Sequence, residues 1–175
     1  MSPADLERLR SGIRDVPDFP EPGILFKDIT PVLSDAELFQ LAVAGFVEAA
    51  REVKPDKIVG IDARGFIFGG AVAHALGLGF VPIRKKGKLP GQCGSASYAL
   101  EYGEAVVEMH RDALRPSERV VLIDDLLATG GTAAAASRLI QEAGAELTRI
   151  LFMIELRFLN GRAALAAPVQ ALITY

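Results

Sequence analysis

Two adjacent carboxylates, Asp124 and Asp125, follow a run of branched apolar residues, Val120-Val121-Leu122-Ile123, and lead through Leu126-Leu127 into Ala128-Thr129-Gly130-Gly131-Thr132. An unbroken apolar run bounded by charge reads as a strand covered on both faces, as in a parallel α/β sheet. The pattern predicts that this strand ends where the acids begin. The short side chains that follow, with Gly130 and Gly131 free to take positive φ, predict a turn. The alanine-rich run from Ala133 to Ala136, continued by Arg138, Leu139 and Ile140, predicts a helix. Strand, small-residue turn and helix in that order make an anion site. The N–H groups of the turn and of the first helical turn converge on one spot, where the partial positive charge of the helix N-terminus favours a phosphate.

Carboxylates repel phosphate, so a pair of them beside a phosphate cradle calls for a ligand with hydroxyl donors or a bridging cation. A ribose 5-phosphate fits that demand. A second charged cluster enlarges the ligand: Arg64, Arg84, Lys85, Lys86 and Lys88 come after two further apolar runs. A basic run is most often a solvated face, and a short Gly-rich match is often a plain strand-to-helix turn. Both clusters, however, fall at carboxyl ends of expected strands, the edge where open α/β sheets bind ligands. One anion at the turn and another at the bases describe a ligand carrying phosphate at two ends.

The elements that must position these groups can be read in order. Leu6, Leu9 and Ile13 predict a short amphipathic helix over 3–13, and three prolines and a glycine between Val16 and Gly23 predict a stiff, extended connection to an extended segment at Ile24 to Ile29. Ser34-Asp35-Ala36-Glu37 has the spacing of a capping box for a helix reaching toward Val53. A strand over Lys57 to Ile61, the loop Asp62-Ala63-Arg64-Gly65 and a helix from Phe66 to Leu76 follow, then a strand over Phe80 to Ile83. Residues 87–103 are poor in apolar side chains and predict a long flexible loop, at most a weak hairpin. Further strands are expected over Ala105 to His110, Thr148 to Leu156 and, at an edge, Val169 to Tyr175. Alternating strands and helices give the class: α/β, with a mostly parallel twisted sheet flanked by helices.

Composition narrows the function further. A chain of 175 residues suits a single domain over 1–175 and can bury a sizeable core. Its net charge of −3 and pI of about 5.5 give no global field for nucleic acid. The one cysteine, Cys93, cannot form an internal disulfide and fits a reducing cytoplasm. The first residues lack a basic region followed by an apolar core, so no secretory signal is expected. Gly65 to Ile83 is uncharged, but its glycines, His74 and Pro82 fit a helix, a break and a strand better than a membrane span. His74 and His110 have no metal-ligand partner at useful spacing, and neither GxxxxGK[ST] nor GxGxxG occurs.

The stretch from Val120 to Thr132 resembles the 5-phosphoribosyl-1-pyrophosphate (PRPP) signature of the type I phosphoribosyltransferases, and its Asp124 to Thr132 wording looks like the adenine-specific branch of that family. The likeness continues through Pro17-Asp18-Phe19-Pro20, Pro22 to Ile29, Arg64-Gly65-Phe66, Arg84 to Gly91, Ala96 to Gly103 and Ile154-Glu155-Leu156. It implies a phosphoribosyltransferase-like core with a small N-terminal hood over 1–33 and residues 87–103 as a flexible catalytic lid. It implies transfer of a phosphoribosyl group from PRPP to adenine with Mg²⁺, bound mainly through PRPP and pyrophosphate, in a cytoplasmic homodimer without nucleic-acid or membrane partners.

By the same resemblance, Ala128, Thr129, Gly130, Gly131 and Thr132 cradle the 5-phosphate, while Asp124 and Asp125 hold the ribose hydroxyls. Arg64, Arg84, Lys85 and Lys88 meet the pyrophosphate end, Arg84 reaching in from a partner subunit, and the Asp62–Ala63 peptide is expected to be cis. Adenine is expected against Phe26, with backbone around Leu25 and Lys27 reading its edge and Leu156 and Tyr102 adding contacts. Glu101 is the expected proton handler at the base. Lys27 stands where relatives often carry arginine and lacks that planar fork, and Gln92-Cys93-Gly94-Ser95 departs from the family's bulkier wording. Two alternatives remain open from the residues alone: a 6-oxopurine phosphoribosyltransferase, and a non-catalytic PRPP-binding regulator.

Overall fold

Ser2 starts the first helix, α1 (Pro3–Ser11), through a reciprocal cap: its Oγ accepts from the Asp5 N–H at 3.2 Å, and the Asp5 carboxylate accepts from the Ser2 N–H at 3.1 Å. The short strands β1 (Arg14–Pro17) and β2 (Leu25–Asp28) then pair antiparallel, with Val16 opposite Phe26 and Asp15 opposite Lys27. The proline-rich connection between them carries a cis Phe19–Pro20 bond and is pinned where Gly23 N–H donates to the Asp18 carboxylate at 2.8 Å. Helix α2 (Thr30–Ser34) takes up Ser34, so the cap of α3 (Ala36–Arg51) moves one residue on from the expected box. The Asp35 carboxylate accepts from the N–H groups of Glu37 and Leu38 at 3.0 and 2.9 Å.

The structure, a computed structural model, describes residues 1–99 and 103–175. These form two compact units, Met1–Gly45 and Phe46–Tyr175. The second unit is built on β3 (Lys57–Ile61), α4 (Arg64–Leu76), β4 (Gly79–Lys85), β5 (Cys93–Ala99), β6 (Glu104–His110), β7 (Arg119–Leu127), α5 (Gly131–Glu142), β8 (Glu146–Glu155) and β9 (Val169–Thr174). A seven-stranded sheet runs β5-β6-β4-β3-β7-β8-β9. Its pairs from β4 through β9 are parallel, and the β5-β6 hairpin joins antiparallel at the β4 edge.

Both sheet faces are buried, which is why the strands are written in continuous apolar letters. Val120 and Leu122 share a cluster with Ala135, Ala136, Leu139 and Ile140 of α5. Val121 and Ile123, equally buried, lie outside that cluster, as the two-residue alternation of a strand requires. Each such side chain contributes about 1.5–3 kcal/mol by leaving water.

Two expectations are corrected. Strand β7 does not stop at the acids but continues through them to Leu127, because β8 goes on pairing beside it: Asp124 faces Phe152 and Leu126 faces Ile154. Backbone partners, not side-chain apolarity, decide where a strand ends. Residues 87–103, expected mainly as loop, contain β5, which pairs with β6 from Cys93↔His110 to Ala99↔Glu104. Its polar letters reflect alternation, since Ala96 is buried while Ser95 and Ser97 face out.

Candidate functional site

The turn after β7 takes the shape that its letters allow. Gly130 has φ +86°, the left-handed region open to glycine, and stands as the N-cap of α5. It offers no side chain to accept from the first-turn N–H groups, so the donors at the start of this twelve-residue helix are left for a ligand. Ala128, Gly131 and Thr132 are half-buried, Thr129 is exposed and Gly130 is buried, an opening lined by backbone rather than by bulky groups.

Asp124 and Asp125 both meet the start of α4. Asp125 is 7% exposed and accepts from Nε of Arg64, the first residue of α4. Asp124 is half-buried, and its Oδ1 accepts from the Asp125 N–H at 2.9 Å. Burial holds the Asp124 carboxyl well above the usual carboxylate range and the neighbouring Asp125 charge adds to this, while that backbone hydrogen bond and Arg64 oppose them. The helix reaches β7 because residue 65 is glycine: a Cβ there would lie 2.7 Å from the Ile123 carbonyl oxygen and 2.9 Å from Asp124 Oδ1.

The basic residues lie where β4 ends. Arg84 and Lys85 are inside the strand, opposite Glu108 and Val107 of β6. Arg84 Nε donates to Asp62 Oδ2 at 2.9 Å and its Nη1 to the Lys88 carbonyl at 3.1 Å, with the guanidinium 6.0 Å from the Phe66 ring centroid. Lys85 and Lys88 are exposed. Between β3 and α4 the Asp62–Ala63 peptide is cis, as the resemblance implies.

Strand β5 runs beside α5 and Gly131. Arg138 of α5 donates to the Ser97 carbonyl, and a Cβ at Gly131 would lie 3.3 Å from Tyr98 Cδ2. Glu101 and Tyr102, singled out for proton handling and base contact, lie outside the described residues. Leu156 directly follows β8, half-buried, its N–H donating to the Leu127 carbonyl at 2.9 Å.

Within the first unit, Leu25 is half exposed, at 50%, and Phe26 is half-buried, its ring meeting Phe19 edge-on at 5.1 Å between centroids. A cavity of about 270 Å³ is lined by Val16, Phe19, Phe26 and Asp28. Lys27 turns its ammonium to Asp15 Oδ1 at 2.5 Å, which leaves its backbone, rather than its charge, as the group available for recognition. Asp28 is held at a pKa of about 2, first by the Thr30 backbone N–H and then by Arg14 and the Thr30 hydroxyl.

Sequence reading missed Gly161 and Arg162, whose backbone and side chain meet the turn and β8. Asn160-Gly161 is a turn signal, but letters alone do not say what a turn packs against. A cavity of about 320 Å³ lined by Met109, His110, Arg111, Leu139 and Glu142 lies toward the far end of α5 and contains none of the expected site residues. Chemistry rather than cavity size therefore locates the site. For a cation, the adjacent carboxylates are hard oxygen donors, and Asp125 is already engaged with Arg64. That donor set suits Mg²⁺ completed by ligand and water oxygens rather than a cage of protein ligands.

Comparison with known proteins points the same way. The phosphoribosyl transferase domain family matches residues 33–163. Adenine phosphoribosyltransferase of Rhodopseudomonas palustris (strain BisB18) is 52% identical over 170 residues, covering 95% of this chain and 85% of that one. The crystal structure of adenine phosphoribosyltransferase from Rhodothermus marinus superposes with a TM-score of 0.94 at 52% identity, over 99% of this chain and 100% of that one. The enzyme from Saccharomyces cerevisiae, solved with an imino-altritol bisphosphate and adenine, gives 0.93 at 44% identity, over 97% and 98%.

Proposed function

The chain belongs to the phosphoribosyltransferase family and, within it, to the adenine phosphoribosyltransferases, and from that premise we propose how its residues divide the work. The reaction moves the 5-phosphoribosyl group of PRPP to adenine, giving AMP and pyrophosphate in purine salvage. The observation that carries the division of roles is the left-handed turn at Gly130, opening α5 directly after the carboxylate pair.

The N–H groups from Ala128 to Thr132 hold the 5-phosphate, and Asp124 and Asp125 accept from the ribose hydroxyls. As adenine N9 bonds to ribose C1, the bond from C1 to pyrophosphate breaks and its electron pair leaves with the pyrophosphate. Positive charge that develops on the ring is steadied by the carboxylates, and negative charge on the leaving group by Arg64, Arg84, Lys85 and Lys88. Mg²⁺, held mainly through PRPP and pyrophosphate oxygens, would neutralise phosphate charge. Glu101 takes the proton handled at adenine N7 or N9. Phe26 and the backbone of Leu25 and Lys27 recognise the base, together with Tyr102 and Leu156. Residues 1–33 act as the hood segment of one domain and residues 87–103 as its lid, excluding water that would hydrolyse PRPP.

A homodimer is the proposed working form, with Arg84 leaving Asp62 to complete a partner's site. Cytoplasmic placement rests on the single cysteine, which is half-buried. No helix of the described residues is long and apolar enough to cross a membrane.

The test is pyrophosphate release with PRPP and Mg²⁺, offering adenine, hypoxanthine, guanine and xanthine in parallel and repeating the adenine arm with Glu101→Ala. Turnover with adenine, lost by at least about a hundredfold in the variant, is the expected outcome. Turnover only with an oxopurine would overturn the base assignment, and PRPP binding without turnover would favour a regulator.

A further inference from the structure

The phosphate turn does not stand alone, because a second segment presses against its back. After β8 the chain makes two 3-10 turns, Arg157–Leu159 and Gly161–Ala164, before entering β9. Gly161 is buried and interlocks with the turn through backbone on both sides. A Cβ at Gly161 would lie 2.2 Å from the Ala128 carbonyl oxygen, and a Cβ at Gly130 would lie 2.4 Å from the Gly161 carbonyl oxygen. Neither position admits a side chain without moving the other strand of backbone.

That segment is itself clamped. Arg162 donates through Nε and Nη2 to the two carboxylate oxygens of Glu155, at 2.6 and 2.7 Å, and through Nη1 to the Val169 carbonyl at 3.0 Å. Glu155 is 3% exposed, so its charge depends on this fork; the Arg162 hydrogen bond holds the carboxyl below its usual range. The segment's other end is tied by Leu156 N–H to the Leu127 carbonyl.

We infer that Gly161 and Arg162 are positioning residues for the 5-phosphate turn: Arg162, held by Glu155, fixes the segment, and the Gly161 backbone sets where Ala128 to Gly130 place their N–H groups. The inference rests on that turn being the phosphate site. A displacement of about 1 Å in such donors is enough to cost up to a hundredfold in function.

The experiment is steady-state kinetics on Gly161→Ala, Arg162→Ala and Arg162→Lys, varying PRPP and adenine separately, with Thr132→Asp, which sets a negative charge among the N–H donors, marking the turn itself. Gly161→Ala and Arg162→Ala are expected to raise KM for PRPP roughly tenfold while KM for adenine stays within about twofold. Arg162→Lys keeps the charge but loses the fork, so a rise of about threefold is expected, and this milder variant carries the test if the alanine variant does not fold. A fall in kcat with both KM values unchanged would mean only less folded enzyme and would overturn the inference, as would constants all within twofold of the parent. If Thr132→Asp raises KM for PRPP while the Gly161 and Arg162 variants do not, this inference alone fails. If Thr132→Asp leaves it unchanged, the reading of the turn as the phosphate site fails.

Discussion

Arg64 Nε donates to Oδ2 of Asp125, so the first residue of α4 is tied to the acidic pair of β7 inside the second unit. The guanidinium is 45% exposed at its side chain and the carboxylate 10%, so the pair is neither a free surface bridge nor a fully buried one. Arg64→Ala leaves a largely buried carboxylate next to Asp124. A stability loss of about 1–2 kcal/mol is expected, between the values for exposed and buried pairs. Urea unfolding at neutral pH measures it, and Arg64→Ala combined with Asp125→Asn should regain most of the loss. No regain in the double variant would show that the ion pair is not the cause.

Asp124 makes the enzyme's stability depend on pH in a stated direction. Its folded-state carboxyl is raised by burial and by Asp125, so the native state holds a proton that the unfolded chain releases at lower pH. The native state is therefore favoured at the acidic end. Stability falls as pH rises from the unfolded carboxylate value to the raised folded one, and is level above it. Asp124→Asn removes that loss: the variant should be more stable than the parent at pH 8, with the gap closing toward pH 4, while turnover drops. A gap that is the same at both pH values would refute the assignment.

Asp28 has the opposite sign. Its pKa of about 2 means that its stabilisation is present above the unfolded carboxylate range and is lost as pH falls from about 5 to about 2. Asp28→Ala should cost about 2 kcal/mol at neutral pH. Read as hydrogen exchange, the amide of Thr30, which donates to Asp28 Oδ1 at 2.9 Å, should exchange roughly thirtyfold faster. Unchanged exchange would show that the Arg14–Asp28–Thr30 network does not hold β1 and β2 together.

Two glycines of α4 should respond oppositely to alanine. A Cβ at Gly65 meets the Ile123 carbonyl at 2.7 Å, whereas at Gly70 nothing lies within 4 Å. Gly65→Ala should destabilise by about 1–3 kcal/mol through overpacking and reduce turnover by shifting Asp124. Gly70→Ala, in an open helical position, should stabilise by roughly 0.5–1 kcal/mol. Thermal unfolding of both decides the matter, and equal shifts would mean that the close approach of α4 to β7 is not what Gly65 permits.

These expectations draw on features of unequal legibility. β3, β7 and β8 could be read from letters because a strand buried on both faces must be written in branched apolar residues. The letters alone place the cap of α3 one residue early, since whether Ser34 or Asp35 caps depends on α2 having claimed Ser34. β5 was hidden by its serines and glycine, and its place is secured from another element by Arg138 on the Ser97 carbonyl.

The sequence by itself determined the α/β class and the local composition of the site, because Asp124 to Thr132 are consecutive: a strand end, two carboxylates and a Gly-Gly turn into a helix are geometry once the backbone is built. Only the tertiary structure decided what meets that stretch. It carried β7 past the acids through β8, paired Asp125 with Arg64, laid Gly161 against Ala128 and locked Arg162 to Glu155. Such contacts join residues far apart in the chain or depend on which backbones approach closely, and both follow from packing a whole core, which no local run of letters encodes.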